Sequence, residues 1–531
     1  MKKYLLISFL LALFFVAVPG SDAFAQLSVG EIAIGGSQND VGYSIVQTKD
    51  KGYTLAGMDC SFTYYSEACN VYLVHLDSMG TLKWTKTVGG NLWDQANSMI
   101  QTDDGGYAIA GFTDSYYNET YVIRFDSMGN VKWERVIAGP GLAEGYSIIQ
   151  ASDRGFVVAG YTAYDSTGDI DASLIKLDSW GNVVWLKTVG GKYADQANSV
   201  ALSKDGGYVI AGYTQSFGDT TYGDIYVVKF DSSGNLKWTK TFGGKGADEA
   251  YSIVGTTDGG YAITGASTSW GAGSYNIYLL RLDSSGNIKW ARNINGTCNN
   301  YGYSLIQARD GSFVITGITC HGGGNYIYLL RIDSSGALIW NKTIGGTVND
   351  QGYSVIQTKD NGYAIAGYTQ SYGTGGENLC LVKLDSNGNT CSTMGTHGTI
   401  ANIDTINIDS GGIVRSYSVA LLDSGMVDSG GIQTNNCIIT GEHNNSILQT
   451  SVKVLPNPNN GKFTIESSVN GRESLVEIYN VLGKKIYSNT FSTLNSSFSI
   501  NLINQPSGIY MYRITDQQGK LIKADKVMIV H

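Results

Sequence analysis

Short apolar runs recur along the chain, and most of them alternate with polar positions and end at a turn. The runs Gly42–Gln47 and Tyr53–Gly57 flank one turn, and the run Tyr278–Leu282 is followed by the turn Asp283–Gly286. Runs of this length that are rich in β-branched and aromatic residues predict β-strands, and aspartate- and glycine-rich turns predict hairpins. The pattern therefore predicts a chain built from repeated pairs of hairpins.

The hairpin pair occurs seven times, and three of its four spacings are constant. We label its strands A to D: A begins near a serine, B ends at a glycine, C ends at an aspartate and D begins near a tryptophan. The serine precedes the glycine by 13 positions in every copy, the aspartate precedes the tryptophan by 7 in six copies, and that tryptophan precedes the next serine by 14. The glycine-to-aspartate step varies from 15 to 20 positions, so every insertion or deletion lies in the B-to-C loop. The landmarks are Ser44, Ser98, Ser147, Ser199, Ser252, Ser304 and Ser354; Gly57, Gly111, Gly160, Gly212, Gly265, Gly317 and Gly367; Asp77, Asp126, Asp178, Asp231, Asp283, Asp333 and Asp385; and Trp84, Trp133, Trp185, Trp238, Trp290 and Trp340.

Four-stranded units that recur about every 50 residues are typical of β-propeller blades. The seventh copy has Cys391 and Ser392 where the tryptophan of strand D is expected, whereas Glu31–Gly36 matches strand D in register. The N-terminal strand is therefore predicted to complete the seventh blade, which removes a free sheet edge. The predicted fold class is all-β: a seven-bladed β-propeller over residues 26–391, closed by the N-terminal strand, then a linker and a small C-terminal β-sandwich.

These repeats resemble kelch and quinoprotein-type propeller repeats, in which a strand that ends near glycine is followed by an aspartate turn and a tryptophan. The resemblance covers roughly residues 27–391 and concerns architecture alone. The aspartate-to-tryptophan step is one residue shorter than in the quinoprotein pattern, and the chain has no adjacent cysteine pair, so a quinoprotein is disfavoured. The repeated tryptophans are predicted to pack between blades.

The N-terminus has the features of a signal peptide. Lys2 and Lys3 precede an apolar run, and Ala23–Ala25 offers a small-x-small cleavage site, so residues 1–25 are predicted to be removed on export. No later segment has the roughly 20 apolar residues that a membrane span requires. The net charge is −9 and basic blocks are absent from the sequence, which disfavours a nucleic-acid partner.

The region after Cys391 loses the repeat spacing and is rich in Gly, Ser, Thr, Asn and Asp, so residues 392–450 are predicted to be a linker with some strand content. Residues 451–531 alternate apolar and polar positions, as in a small β-sandwich. They also closely resemble the C-terminal sorting domain of type IX secretion cargo. The resemblance implies export across both membranes by the type IX machinery, and release or attachment at the outer surface. Its landmarks are Pro456, Asn457, Pro458, Gly461, Phe463, Gly483, Gly508 and Tyr510.

Seven cysteines in an exported chain predict disulfides, and none forms a CxxC metal pair. Cys60 and Cys69 lie in the first B-to-C loop, and Cys298 and Cys320 lie in neighbouring connections, so both pairs are plausible disulfides. Cys391 and Cys437 are a third candidate pair, and a disulfide between them would close the linker into a covalent loop. Cys380 occupies a strand position and is predicted to be the unpaired, buried thiol.

Two faces of the propeller differ in their variability. The A-to-B and C-to-D turns share one face, which we call the hairpin face, and the B-to-C loops and D-to-A connections share the other, the loop face. All length variation lies on the loop face, as in a scaffold with grafted binding loops. Aromatic residues in these loops predict sugar or protein contacts, or else cover the blades; they are Phe62, Tyr64, Tyr65, Tyr116, Tyr117, Tyr164, Phe217, Tyr222, Trp270, Tyr275, Tyr326 and Tyr372.

An acidic position recurs just before strand A, at Asp40, Asp94, Asp195, Asp248 and Asp350, with Ala143 and Asn300 in the other two copies. Such a ring of carboxylates is compatible with a cation or with sugar hydroxyls, and the alternative is local capping of the backbone. No motif implies a cofactor, although a calcium ion would suit the ring, and no metal ligands are assigned.

The five histidines share no motif, and the Asp-Ser-x-Gly turns recur in all seven copies, so the sequence offers no asymmetric catalytic constellation. The sequence favours a secreted or surface-displayed propeller that binds glycans or proteins through its loop face without catalysis. The alternative is a glycan-active hydrolase or lyase that uses acidic residues at the channel mouth.

Overall fold

The structure is a computed structural model with two compact units, residues 1–442 and 443–531. Its described residues are 27–63, 68–114, 118–138, 141–163, 170–271, 275–296, 298–321, 323–373, 375–391, 393–394, 399–402, 407–409, 413–416, 420–422, 426–428, 432–440, 452–455, 459–467, 473–480, 484–492, 496–516 and 521–530. Every regular element longer than one residue in this described part is a β-strand. The predicted signal peptide lies outside it.

Unit 1 contains seven repeated sheets, which confirms the all-β prediction and the four strands per repeat. We call the sheets blades 1 to 7. Blade 1 contains β2 (Asp40–Gln47), β3 (Tyr53–Asp59), β4 (Asn70–Leu76) and β5 (Leu82–Gly89). Blade 2 contains β6 (Asp94–Gln101), β7 (Tyr107–Thr113), β8 (Glu119–Phe125) and β9 (Val131–Ala138). Blade 3 contains β10 (Ala143–Gln150), β11 (Phe156–Ala163), β12 (Ile170–Leu177) and β13 (Val183–Gly190). Blades 4 and 5 contain β14 (Asp195–Leu202), β15 (Tyr208–Thr214), β16 (Asp224–Phe230) and β17 (Leu236–Gly243); and β18 (Asp248–Gly255), β19 (Tyr261–Ser267), β20 (Asn276–Leu282) and β21 (Ile288–Asn295).

Blades 6 and 7 follow the same plan, but blade 7 takes its fourth strand from the N-terminus. They contain β22 (Tyr301–Gln307), β23 (Phe313–His321), β24 (Gly324–Ile332) and β25 (Leu338–Ile344); and β26 (Asp350–Gln357), β27 (Tyr363–Thr369), β28 (Asn378–Leu384) and β1 (Leu27–Gly35). Strand β1 pairs antiparallel with β28, with Gly30 opposite Lys383. Strand A of each blade lies beside strand A of the next, and β2 of blade 1 also lies against β26 and β27 of blade 7.

The constant serine-to-glycine spacing has a steric cause. Strand A contains a register shift between Gly42 and Ser44 in blade 1, and the same shift recurs in the other six blades. A Cβ on Gly57 would lie only 1.8 Å from the Val41 carbonyl oxygen, so the residue opposite this bulge must be glycine. Ser44 Oγ accepts a hydrogen bond from Met99 N of the next blade at 3.0 Å. The serine therefore joins adjacent blades.

The repeated tryptophans pack between blades, as predicted. Trp238 of blade 4 lies under the C-to-D turn of blade 5, where a Cβ on Gly286 would come within 3.0 Å of the indole ring. The same indole meets Tyr261 of blade 5 edge to face, with ring centroids 6.3 Å apart. The apolar core is accordingly divided into clusters that each span two adjacent blades.

The segment predicted as a linker adds a fifth strand to every blade. Seven short strands run antiparallel to the outermost strand of the blades, in the order of blades 6, 5, 4, 3, 2, 1 and 7. We call them the belt: β29 (Thr393–Met394), β30 (Thr399–Asn402), β31 (Asn407–Asp409), β32 (Ile413–Ser416), β33 (Ala420–Leu422), β34 (Met426–Asp428) and β35 (Ile432–Thr440). The belt covers blade edges that would otherwise present unpaired backbone groups.

Unit 2 contains two sheets around a common core. One sheet has the order β36 (Val452–Leu455), β37 (Lys462–Ser467), β40 (Ser496–Asn501), and the other has the order β39 (Lys485–Ser492), β38 (Glu473–Asn480), β41 (Gly508–Asp516), β42 (Leu521–Ile529). Phe463 and Ile465 of the first sheet pack with Val476, Ile478 and Tyr512 of the second. Buried Glu477 accepts hydrogen bonds from Lys485 and Arg513, which lower the pKa of its carboxyl to about 2.

Candidate functional site

The five aspartates of the predicted ring lie on the loop face at the start of strand A, but their side chains are buried. Their residue exposures are 0 or 1%. In blade 7, Asp350 Oδ2 accepts hydrogen bonds from Gly346 N at 2.9 Å and from Ser371 Oγ at 2.7 Å, and Thr369 Oγ1 donates to Oδ1. At Oδ2, Asp195 and Asp248 have the equivalent glycine N–H and serine hydroxyl partners. The carboxylates thus fasten the D-to-A connection to the B-to-C loop, which is the capping alternative, and do not present a surface to solvent.

Burial also disturbs the ionisation of these aspartates. Desolvation raises the pKa of Asp94 to about 6, partly offset by a hydrogen bond from Thr113 and one from Gly90 N. It raises the pKa values of Asp195, Asp248 and Asp350 in the same direction. Ionisation of these groups is therefore less favourable in the folded chain than in the unfolded chain.

We expect the Asp94 carboxyl to make stability depend on pH. Its pKa is about 6 in the folded chain and near 3.9 when unfolded. Its contribution is complete below about pH 4 and is lost as the pH rises through 6, which is worth about 3 kcal/mol. Substituting Asp94→Asn should flatten that part of the stability profile, measured by urea unfolding from pH 4 to 8. An unchanged slope would contradict the assignment.

Blade 1 carries a carboxyl where the other blades have a hydroxyl. Asp59 ends strand B at the position of Thr214 and Thr369, beside Asp40. Asp59 Oδ1 accepts hydrogen bonds from Ser61 N at 2.8 Å and Phe62 N at 3.1 Å. Burial and the adjacent Asp40 raise the pKa of Asp59. A protonated Asp59 can replace the threonine hydroxyl as a donor to the ring aspartate.

Of the described loop aromatics, Trp270 and Tyr275 stack on other aromatic rings and Tyr222 is exposed. Trp270 stacks on buried Tyr278 with ring centroids 5.3 Å apart and belongs to the core between blades 4 and 5. Tyr275 stacks on Tyr301 of strand A in blade 6 at 5.2 Å. Tyr222 is 60% exposed in the blade 4 loop. The candidate positions that lie outside the described residues are Tyr64, Tyr65, Tyr116, Tyr117 and Tyr164.

A set of inward-facing residues on strand A was missed by the sequence reasoning. We call it the inner ring: the residue before each spacing serine, namely Tyr43, Asn97, Tyr146, Asn198, Tyr251, Tyr303 and Tyr353. All seven are half-buried. The signal was present in the alignment of the seven copies, because this position alternates with buried ones on the innermost strand and is always tyrosine or asparagine.

Five of the seven inner-ring residues are tyrosines, and four of these are consecutive around the ring. Neighbouring tyrosine rings of blades 5, 6, 7 and 1 are in contact, with centroids 5.4 Å apart for Tyr251 and Tyr303, 5.2 Å for Tyr303 and Tyr353, and 5.0 Å for Tyr353 and Tyr43. Burial raises the pKa of the Tyr43 phenol, and the charge of Glu377 adds to the effect. These four tyrosines form a packed aromatic surface.

The other three members, Asn97, Tyr146 and Asn198, make up the polar half of the ring, and two carboxylates of strand A lie next to them. Glu144 of blade 3 accepts hydrogen bonds from Tyr161 at 2.9 Å and Asn118 at 3.1 Å. Glu249 of blade 5 accepts one from Tyr251 at 3.0 Å and one from Asn198 at 3.1 Å, and burial raises the pKa of its carboxyl. These carboxylates break the sevenfold repetition.

Exposed apolar residues are concentrated on the D-to-A connections around the same polar half. Leu92 and Trp93 precede blade 2, Leu142 precedes blade 3 and Tyr193 precedes blade 4, with exposures of 50, 43, 50 and 47%. We call these four residues the apolar rim. The matching positions hold Gly246 and Ala247 before blade 5 and Gln38 and Asn39 before blade 1, and the connection before blade 7 has one exposed aliphatic residue, Val348. The loop face is therefore asymmetric in the way that a binding surface would be.

Three features of the cysteines match the predicted pairing. Cys60 forms a disulfide with Cys69, and Cys298 forms one with Cys320. Cys380 is buried and free. Cys391 is also in a disulfide; the side chain of Cys437, its predicted partner, lies outside the described residues. Among the described residues, no group of three or more His, Cys, Asp or Glu is placed to hold a metal ion.

The sorting-domain landmarks that the structure describes have structural roles in unit 2. Gly461 has a φ of 90°, and a Cβ there would lie 2.6 Å from Ile503 Cα. Phe463 is buried in the core, and buried Tyr510 donates a hydrogen bond to the Pro506 carbonyl at 2.7 Å. Gly508 starts β41. Pro456, Asn457, Pro458 and Gly483 lie outside the described residues.

Comparisons with known proteins match a family model to unit 2 and find other proteins that are similar to the chain at low sequence identity. Residues 453–530 match the secretion system C-terminal sorting domain. The regulatory protein FlaEY of Caulobacter vibrioides is 26% identical over 142 residues, which is 23% of this chain and 15% of the relative's length. The chain thus spans well under two thirds of that relative.

Several solved structures are similar at low sequence identity. A fungal alcohol oxidase in complex with copper has a TM-score of 0.43 and 12% identity, and covers 95% of this chain and 100% of its own. An α-L-arabinofuranosidase from Fusarium graminearum has a TM-score of 0.36 with 10% identity over 68% of this chain and 98% of its own. An α-L-arabinanase from Penicillium chrysogenum, complexed with arabinobiose, has a TM-score of 0.37 with 10% identity over 68% and 99%.

A search for membrane-crossing helices in the described part of the chain found none of sufficient length and apolar character. The sorting-domain landmarks of unit 2 and the family match over residues 453–530 identify the same kind of domain. The C-terminal unit is a type IX secretion sorting domain, and the protein is exported and is either secreted or displayed on the cell surface.

Proposed function

We propose that this exported protein is a non-catalytic β-propeller that binds glycans or proteins through its loop face. The seven blades form a closed ring in which β1 completes blade 7, and unit 2 is a small β-sandwich recognised by the type IX machinery. A cleaved signal peptide at residues 1–25 takes the chain across the inner membrane first. The mature propeller is thereby presented outside the cell.

The observation that carries this proposal is the asymmetry of the loop face. The apolar rim gives exposed aromatic and aliphatic surface on three consecutive connections. Beside it, the polar half of the inner ring offers amides and the Glu144 carboxylate. Flat apolar surface next to hydrogen-bonding groups suits a sugar ring, which has apolar faces and hydroxyl edges. The buried aspartates contribute by holding the connections that carry the rim.

Loss of the Trp93 indole is expected to weaken binding about tenfold, because an exposed aromatic ring at a binding surface is a typical hot spot. The full mature chain, oxidised, would be screened on a glycan array with and without calcium, and Trp93→Ala compared with the parent on the glycans retained. Met128→Ser removes a 63% exposed side chain from the hairpin face and is the matched control. Equal binding by Trp93→Ala would contradict a role for the rim.

A glycan-active hydrolase or lyase is the second candidate, and one observation favours it. Glu249 is half-buried on strand A beside Tyr251 of the inner ring and has a raised pKa, a property of general acids in glycoside hydrolysis. This activity predicts release of oligosaccharide from a bound polysaccharide, and loss of that release in Glu249→Gln. Binding without any product would leave the non-catalytic function as the better account.

A further inference from the structure

A cleft on the hairpin face lies between blades 2 and 3, on the side of the molecule opposite the loop face. Its volume is about 450 Å³. The residues that line it are Asp103, Asp104, Arg124, Lys132, Trp133, Gln150, Arg154, Phe156, Ser179 and Trp180. The cleft belongs to the face on which the repeat has constant loop lengths, so loop variation gave no indication of it.

Two residues of the cleft depart from the repeat at the same place. Trp180 occupies the third position of the C-to-D turn and is 74% exposed, whereas blades 4, 5 and 6 have serine there. Arg154 occupies the left-handed position of the A-to-B turn, with a φ of 64°. Four other blades have glycine at that position, namely Gly105, Gly206, Gly259 and Gly311, and blades 1 and 7 have Lys51 and Asn361 there.

The positive φ of Arg154 is unfavourable for a residue other than glycine. Residues other than glycine are uncommon at positive φ, and strained positions cluster where a side chain is needed. Arg154 is exposed, and its guanidinium has no hydrogen bond or ion pair with any part of the chain that the structure describes. The cation is therefore available to a ligand.

Other charged residues of the cleft are held in place by contacts within the protein. Arg124 is buried and forms an ion pair with Asp104, to which Lys132 Nζ also comes within 3.4 Å. Asp103 is exposed, and its backbone N–H donates to Gln150 at 3.1 Å. The lining carries three cationic and two anionic side chains, so it is slightly positive in a chain whose net charge is −9. This local excess of positive charge favours the binding of an anion in the cleft.

The turn that presents Trp180 is held in place by a side chain of blade 2. Arg135 Nη2 donates a hydrogen bond to the Trp180 carbonyl oxygen at 3.2 Å, and the same guanidinium lies 5.6 Å from the centroid of the Trp133 ring. Asp178 accepts hydrogen bonds from Trp180 N and Asn182 N at 2.8 Å each. The indole is thus fixed at its backbone while its ring faces solvent.

From these contacts we infer that the cleft between blades 2 and 3 is a second binding site, for an acidic sugar residue of a glycan. The Trp180 ring stacks on the apolar face of the sugar, the Arg154 guanidinium pairs with its carboxylate, and the Asp103 carboxylate accepts hydrogen bonds from hydroxyls. The site is separate from the loop face and does not depend on the function proposed for that face.

The test uses the full mature chain and three probes: an oligogalacturonate, a neutral xylo-oligosaccharide of the same length, and inorganic sulfate. Calorimetric titration at low salt is expected to give binding of the oligogalacturonate that is at least tenfold tighter than that of the neutral sugar. The affinity should fall as salt is added, because an ion pair is screened. Sulfate that binds as tightly as the oligogalacturonate would show a simple anion site and overturn the sugar assignment.

The variants restore residues that other blades use, so the fold is expected to persist. Arg154→Gly copies blades 2, 4, 5 and 6, and Trp180→Ser copies blades 4, 5 and 6. Each should raise the Kd for oligogalacturonate at least tenfold, and Met128→Ser, the same turn position in blade 2, should leave it unchanged. Trp93→Ala should also leave it unchanged, which separates this site from the loop face. Binding that survives both Arg154→Gly and Trp180→Ser would overturn the inference.

Discussion

Replacing Cys391 by serine is expected to lower the free energy of unfolding by about 4 kcal/mol. Cys391 is in a disulfide, and Cys437 is the one cysteine left once the other described cysteines are paired or free. The backbone agrees, because Cys437 lies opposite Glu31 in β35, and Thr390 donates a hydrogen bond to Glu31 at 3.3 Å. A cross-link across this many residues removes about 4 kcal/mol of chain entropy from the unfolded state.

The belt makes this disulfide different from the other two. Its strands visit all seven blades between Cys391 and Cys437, so the bond would close a covalent loop that includes every belt strand. Arg415 is the one lysine or arginine between Cys391 and Cys437. A single tryptic cut there should leave the two fragments linked when oxidised and separated when reduced, or in Cys391→Ser.

The matched control is the Cys60–Cys69 disulfide, which spans a sequence separation of only 9. Opening it with Cys60→Ser and Cys69→Ser should cost about 2.6 kcal/mol in the same model. Guanidinium unfolding of the three proteins gives the comparison. A cost for Cys391→Ser below that of the short loop would show that the belt is not held by the disulfide.

The second large effect is expected for Asp350→Ala, at about 3 kcal/mol. The substitution leaves Gly346 N, Ser371 Oγ and Thr369 Oγ1 without their shared acceptor. Unsatisfied buried donors cost about 1–3 kcal/mol each, and the two hydroxyls can partly reorient. Thermal unfolding measures the loss. A loss of less than about 0.5 kcal/mol, the range usual for surface substitutions, would contradict this role of Asp350.

Blade 6 supplies the control for this experiment, because Asn300 stands there in place of the aspartate. Asp350→Asn keeps one carbonyl oxygen as an acceptor and should cost about 1 kcal/mol. Binding to the glycans retained on the array is expected to weaken less than stability does, since Asp350 is buried and lies away from the apolar rim. A selective loss of binding would instead place Asp350 at the ligand.

The fixed spacings were sufficient to predict the blades, because each constant landmark answers a local steric demand. Gly57 must lack a Cβ opposite the strand A bulge, and Ser44 must reach the backbone of the next blade. Both demands recur in every blade, so they leave a periodic signal. The pairing of Cys60 with Cys69 and of Cys298 with Cys320 also followed from position in the loops.

The candidate site was predicted less well, because a repeated polar residue looks alike whether it faces solvent or the interior. The ring aspartates have the periodicity expected of a channel mouth, yet Asp195 and Asp248 point inward to glycine N–H groups and serine hydroxyls. Conversely, Trp93 and Trp180 are single departures from the repeat. Their exposure, and so their suitability for binding, is apparent only once the fold places Trp93 on an exposed connection and Trp180 in a cleft.

By itself the sequence determined the number of blades, the use of the N-terminal strand in blade 7, the sorting domain and export, since these depend on patterns that are local or repeated. Only the tertiary structure decided the role of residues 393–440, whose short strands pair through backbone groups that every residue type possesses. Backbone pairing of two to nine residues requires no particular side chains. The belt therefore leaves no hydrophobic pattern in the sequence, and its composition predicts a linker. The same reason explains why burial of Asp350, and exposure of Trp180, became apparent only when blades were placed beside each other.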